Sequence, residues 1–138
     1  MNEGHIRPLS EDECREYLAL ARIGRLAFVG PDRLELLMLN AVSDGRTVLL
    51  RTEPTTVLAT AVSEGPTPVA FETDYLDELL QAGWSVTVHG TAAIATDAQR
   101  EALRGILPHA WAPGDRHLII GIDVETLAGR KVRARSGG

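Results

Sequence analysis

Residues 51–58 read RTEPTTVL. An arginine and three threonines, Thr52, Thr55 and Thr56, stand between an apolar run, TVLL (47–50), and a run of small helix formers, ATAV (59–62). A strand handing over to a helix leaves unpaired backbone N–H groups at the helix start, which attract anions. Hydroxyls add donors, and a guanidinium adds charge in a planar fork that matches phosphate. This is the chemistry of a phosphate cradle. The same residues also make an ordinary turn with a threonine N-cap. No lysine completes the cradle, because position 57 is valine.

Other reactive side chains are sparse. His5, His89, His109 and His117 lack the local spacing of a metal site. Cys14 is the only cysteine, so no internal disulfide and no thiolate cage can form. It lies on the apolar stripe of the first helix, where a small core residue is expected. No nucleophile elbow, zinc-protease helix, P-loop or dinucleotide fingerprint is present. Asp74, Asp77 and Glu78 read as a solvated acidic loop. An enzyme with this inventory would leave the hard chemistry to a cofactor.

The elements that must position these residues follow from pattern. A capping box at Ser10 and Glu13 predicts a helix over about 11–21. IGRLAFVG (23–30), LELLMLNAV (34–42) and TVLLRT (47–52) read as three strands joined by turns, with Asp-Gly at 44–45 as a hairpin signal. A short helix over about 55–63 ends at Gly65 and Pro66. TPVAFETD (67–74) and WSVTVHGTAAIA (84–95) are further strands, the latter with Trp84, Val86 and Val88 on one side and Ser85, Thr87 and His89 on the other. A second capping box, Thr96 and Gln99, opens a third helix. HLIIGIDVE (117–125) is a strand, LAGRKVRA (127–134) a last short one, and residues from about 134 a disordered tail. The strands outnumber the helices and follow one another through hairpins. The expectation is a single domain over 1–138, a mainly β barrel with helices at its rims.

Bulk composition removes several classes. The chain of 138 residues carries a net charge of −5, against the clustered cations of a general nucleic-acid binder. No apolar run approaches the roughly 20 residues of a membrane span. The polar, acidic start is no secretory signal, so a cytoplasmic location is expected. Of the 14 basic residues, only Lys131 is a lysine; a phosphate held by a cation here is held by arginine.

GRLAF (24–28), the strand ending in Asn40, RT (51–52), VAFETD (69–74), GWSVTVHGTA (83–92), WAPGD (111–115) and AGRKV (128–132) occur in order and at suitable spacing. Together they resemble the pyridoxamine 5′-phosphate oxidase-like family, over about residues 9–132. The resemblance implies a six-stranded antiparallel Greek-key split barrel of the FMN-binding type. It also implies a homodimer, with flavin in two equivalent clefts at the interface and a small-molecule substrate oxidised or reduced by two electrons. Some relatives use a deazaflavin coenzyme instead.

Carried over residue by residue, the resemblance places the flavin phosphate at RTEPTTVL. The family wording there is near R-T-x-x-G-S-K-L, so Arg51 and Thr52 are kept, Thr56 replaces serine, and Val57 replaces the phosphate-binding lysine. Met38, Leu39 and Asn40 match the strand along the flavin ring, through backbone groups and the Asn40 amide. Ser85 matches a polar ring contact, beside Trp84 as ring wall or core aromatic. Arg116 and Arg130 are candidates for contact across the interface, and Arg25 carries the same ambiguity. No catalytic acid or base is nominated. The first reading is an FMN oxidoreductase. The alternatives are a non-catalytic or degenerate flavin-binding barrel, distinguished by Val57 and Met38, and a member that uses the deazaflavin coenzyme.

Overall fold

A computed structural model describes residues 5–111 and 117–134. The elements run β1 (His5–Pro8), α1 (Glu11–Leu18), β2 (Ile23–Val29), β3 (Leu34–Ser43), β4 (Thr47–Thr52), α2 (Val57–Glu64), β5 (Thr67–Asp77), β6 (Ala82–Ile94), α3 (Asp97–Ala102) and β7 (Leu118–Arg133). Two single-turn 3₁₀ helices, Arg104–Ile106 and His109–Trp111, follow α3.

All pairings are antiparallel. Around the ring the order is β7-β4-β3-β2-β5-β6, and β6 pairs back onto β7, so six strands close into a barrel. This is the split barrel that the sequence implies, with one addition. His5–Pro8 forms a seventh strand on β7, register His5↔Arg133 to Pro8↔Arg130. It lies on the same edge of β7 as β4, because both oppose β6 across that strand.

Alternation explains the core. Leu26 and Phe28 of β2, Val48 and Leu50 of β4, Phe71 of β5, Val86 and Val88 of β6, and Ile120 and Ile122 of β7 all point inward and are buried. Helix α1 starts at the expected capping box, with Ser10 Oγ accepting from Glu13 N–H and the Glu13 carboxylate accepting from Ser10 N–H. It is shorter than expected, ending at Leu18 rather than near 21. There the bonds tighten to i→i+3, Leu20 N–H to Tyr17 O and Ala21 N–H to Leu18 O, and these still bury Ala21. Cys14 is buried against the barrel, as expected of a core residue.

Two expectations change. The acidic loop shrinks to a tight turn because β5 runs on to Asp77 and β6 begins at Ala82. The two last strands are one strand of 16 residues. A bulge makes that possible. His89 faces Thr126 but Gly90 faces Val124, so Glu125 is the extra residue. Even-numbered residues point inward before it, as Ile120 and Ile122 do. Odd-numbered residues share the inner face after it, where Leu127 packs on the core. The expected tail beyond Ala134 lies outside the described residues.

Gly24 is a point of close approach on the inner wall. A Cβ there would overlap the Phe71 ring and sit 2.8 Å from Glu72 O. Gly24→Val should therefore destabilise the fold by about 1–3 kcal/mol through overpacking. Urea unfolding measures this, and an unchanged midpoint would contradict the packing described.

Candidate functional site

The RTEPTTVL junction folds as its residue types dictate. Arg51 and Thr52 end β4, register Arg51↔Asn40 on one side and Arg51↔Ile119 on the other. Thr56 is the N-cap of α2, its Oγ1 accepting from Ala59 N–H at 3.2 Å. The Thr52 and Thr56 hydroxyls meet at 2.9 Å. Thr52 is buried and Arg51 half-buried.

Six of the residues singled out from the sequence line one open cleft of about 290 Å³: Met38, Leu39, Asn40, Arg51, Thr52 and Thr56. The strands explain the convergence, since Asn40 and Arg51 are direct cross-strand partners. Leu39 packs inward on the core, so only its backbone is offered to the cleft. Met38 and Asn40 point outward. Val57 does not line the cleft; its side chain is exposed beside it, at the first turn of α2.

The remaining candidates lie elsewhere. Trp84, Ser85 and Arg130 line a second cleft of about 340 Å³, across the outer surface on β6 and β7. Ser85 and Arg130 are register partners there. Trp84 leans instead on Tyr17, ring centroids 4.7 Å apart, so it is largely a packing residue. Arg116 and the WAPGD segment beyond Trp111 lie outside the described residues. His89 is exposed on the outer face, on the same side as Ser85.

Sequence reasoning gave no cleft role to four side chains that the fold brings to these clefts. His117 lines the first, and the Arg51 guanidinium donates to its Nδ1 at 2.8 Å. Glu53 stands at the same mouth, its carboxylate 3.6 Å from His117 Nε2. Glu72 and Asp74 line the second cleft and share Arg25, at 3.1 and 3.2 Å. Alternation in VAFETD could have shown Glu72 and Asp74 on one face. His117 is 66 residues from Arg51, and only the β4–β7 pairing joins them.

The acidic pair is electrostatically tuned. Burial first, then the adjoining Asp74 carboxyl, pushes Glu72 up to about 6, while Arg25 works in the opposite direction. Cys14 offers no nucleophile, since burial pushes its thiol up.

The outer face between the clefts is apolar. Val29, Leu34, Leu36 and Met38 are each about 70% exposed or more; the last three form one row along β3, with Val29 opposite Leu34, Ala27 opposite Leu36 and Arg25 opposite Met38. Singly such residues are unremarkable; contiguous rows of them mark an interaction surface.

With this geometry in view, residues 10–131 match the sequence profile described as pyridoxamine 5′-phosphate oxidase. The chain belongs to the pyridoxamine 5′-phosphate oxidase family. An uncharacterized protein of Mycobacterium tuberculosis is 32% identical over 132 residues, covering 93% of this chain and 86% of that one. An FAD-binding protein from Mycobacterium smegmatis superposes with a TM-score of 0.70 at 27% identity, covering 91% of this chain and 97% of its own. An FAD-binding protein from Mesorhizobium loti gives 0.72 at 23% identity, covering 91% and 97%, which shows the shared fold. No described helix is long and apolar enough to cross a membrane.

The acidic pair sets a pH dependence. Between about pH 4.5, the ordinary value, and about 6, folded Glu72 keeps a proton that the unfolded chain has lost. Stability should therefore fall as pH rises through that window, and Glu72→Gln should flatten the fall. In a carboxyl NMR titration, Asp74→Asn should lower the Glu72 midpoint, since the Asp74 carboxyl helps to hold it up. A Glu72 that titrates at its ordinary value in the intact chain would refute this tuning.

Proposed function

We propose that the chain is a flavin-binding oxidoreductase that works as a homodimer, with the flavin phosphate seated in the Arg51–Thr52–Thr56 cleft. One observation carries this reading. A guanidinium, two hydroxyls and the start of a helix converge on one small cleft, at the edge of an uncovered apolar face. That donor set fits a phosphate. A cleft of about 290 Å³ lies at the lower edge of the range for small-ligand sites, ~300–1,000 Å³. It suits the polar end of a flavin better than the whole molecule.

A second copy of the chain supplies the remainder. Packing Val29, Leu34, Leu36 and Met38 against a partner covers the apolar face. It also gives the flavin ring a wall next to Met38 and Asn40, and leaves Ser85 and Arg130 available to the neighbouring site. The family membership and the FAD-binding relative from Mycobacterium smegmatis support a flavin. The bound flavin supplies two-electron transfer; the protein orients a small substrate and excludes water. FMN is the expected form, with FAD tested beside it. An acidic deazaflavin is the other coenzyme to test; its longer, more acidic tail would want further arginines, and Arg51 is the one arginine or lysine among the described residues that line this cleft.

A weak-binding barrel is favoured by two features. Val57 replaces a lysine, and Glu53 brings a negative charge to the mouth. Losing one charged phosphate contact costs about 1–3 kcal/mol, one or two decades of affinity.

Titration with FMN, FAD and the deazaflavin coenzyme, followed by coenzyme fluorescence, separates the readings. Binding by the purified chain is expected, with Val57→Lys tightening it about tenfold or more. No binding of any of the three coenzymes at about 1 mM, weaker than ~4 kcal/mol, would reject the oxidoreductase reading. Sedimentation should give a dimer that Leu36→Asp dissociates.

A further inference from the structure

The bulge in β7 has an effect at the far end of the strand. It puts Lys131 and Arg133 in phase with the inner face of the barrel, where Trp84 and Ala82 are their partners on β6. On the other edge their partners are Arg7 and His5 of β1. Direct cross-strand pairs share a face, so a lysine, two arginines and an imidazole stand together on the ribbon of β6, β7 and β1. Like charges directly opposite one another destabilise a sheet. A chain with a net charge of −5 does not cluster cations as a by-product of composition.

The cluster is only partly compensated. Arg7 forms a bidentate pair with Glu13, at 3.0 and 3.1 Å, and with the Ser10 N–H this holds the Glu13 carboxyl down at about 2. Lys131 Nζ stands 5.8 Å over the Tyr17 ring. Among the described residues, no carboxylate forms an ion pair with Lys131 or Arg133.

These side chains line a groove of about 500 Å³ with Leu80, Ala82 and Val132. The volume is in the range of small-ligand sites. The groove is pre-formed. The Ala134 N–H donates to Gln81 O at 2.8 Å, which ties the β5–β6 turn to the end of β7. Asp77 Oδ1 accepts from Leu80 N–H and so is turned to its own loop. The groove is distinct from the first cleft and opens on the opposite face of β7 from the second, with Val132 of the strand at the edge of both. Arg130 alternates to the other face of β7, and Ile119, the partner of Arg51, is about 40 Å of strand away.

We propose that this groove binds a small organic dianion with an apolar body, an aryl phosphate or dicarboxylate. Lys131 and Arg133 meet the charge, with His5 beside them, and Leu80 and Ala82 take the apolar part. The inference is independent of the flavin reading.

The test is a titration of the intact chain, read by amide NMR, with 1-naphthyl phosphate, 1,8-naphthalenedicarboxylate and inorganic phosphate. Saturable shifts are expected at His5–Arg7, Leu80–Ala82 and Lys131–Arg133. Inorganic phosphate should bind at least tenfold more weakly, and the two aryl probes show whether phosphate or carboxylate is preferred. The double variant Lys131→Gln, Arg133→Gln should lose at least tenfold in aryl phosphate affinity, melt no lower than the parent chain and keep its FMN affinity. Leu80→Glu, on the exposed turn, provides a second variant with the same expected loss. No saturable shift at the groove, shifts confined to Arg51, Thr52 and Thr56, or equal affinity for naphthyl and inorganic phosphate would overturn the proposal.

Discussion

The barrel depends on β7 pairing along both of its edges. Its first residues hydrogen-bond β4, its last residues hydrogen-bond β1, and β6 follows the whole length. Without that strand, β2 to β6 would be an open sheet with two unpaired edges, a template for aggregation. A strand of 16 residues cannot wrap a small barrel at one constant phase, and the bulge at Glu125 resets it. Closure also fixes what remains outside. Side chains on the outer wall must be polar or be covered, and the β2–β3 wall is neither. The chain is thus a closed barrel that leaves Val29, Leu34, Leu36 and Met38 of this wall exposed.

The clefts follow from the same closure. Where β4 ends beside β7, the backbone turns away into α2, and Thr56 caps the helix at that corner. Arg51 is placed there by two ladders at once, so its guanidinium reaches His117 without a long search. This is the kind of rigid corner on which a phosphate site can be built. On the opposite side of the apolar face, β5 and β6 present Glu72, Asp74 and Ser85. The outer face thereby carries a cationic corner, an apolar middle and a tuned acidic side.

Much of this is legible in the sequence. Two capping boxes announce α1 and α3, and the alternation of WSVTVHG alone separates Val86 and Val88 from Ser85 and His89. The ordered family phrases imply the split barrel. What escapes is what depends on long-range pairing. His5–Pro8 has no strand signature of its own and is a strand only because β7 offers an edge. AGRKV reads as a separate short strand because the pattern changes phase at Glu125, and a bulge looks like a break in a one-dimensional pattern. Asp74, Asp77 and Glu78 read as an acidic loop because the apolar–polar alternation of β5 fades there, where Leu76, Leu79 and Leu80 are exposed. His117 escapes for a similar reason, since no local motif links it to Arg51. Val57 is a departure from the family wording that the sequence shows directly, and its place beside the cleft makes that departure testable.

The central claim is that Arg51, Thr52 and Thr56 hold a flavin phosphate without a lysine. Calorimetric titration of FMN against riboflavin, which differ only in that phosphate, addresses it most directly. FMN should bind at least about tenfold more tightly, ~1.4 kcal/mol, and the difference should collapse in the double variant Arg51→Gln, Thr56→Val. Equal affinity for the two flavins in the parent chain, or a preference for FMN that survives the double variant, would contradict it.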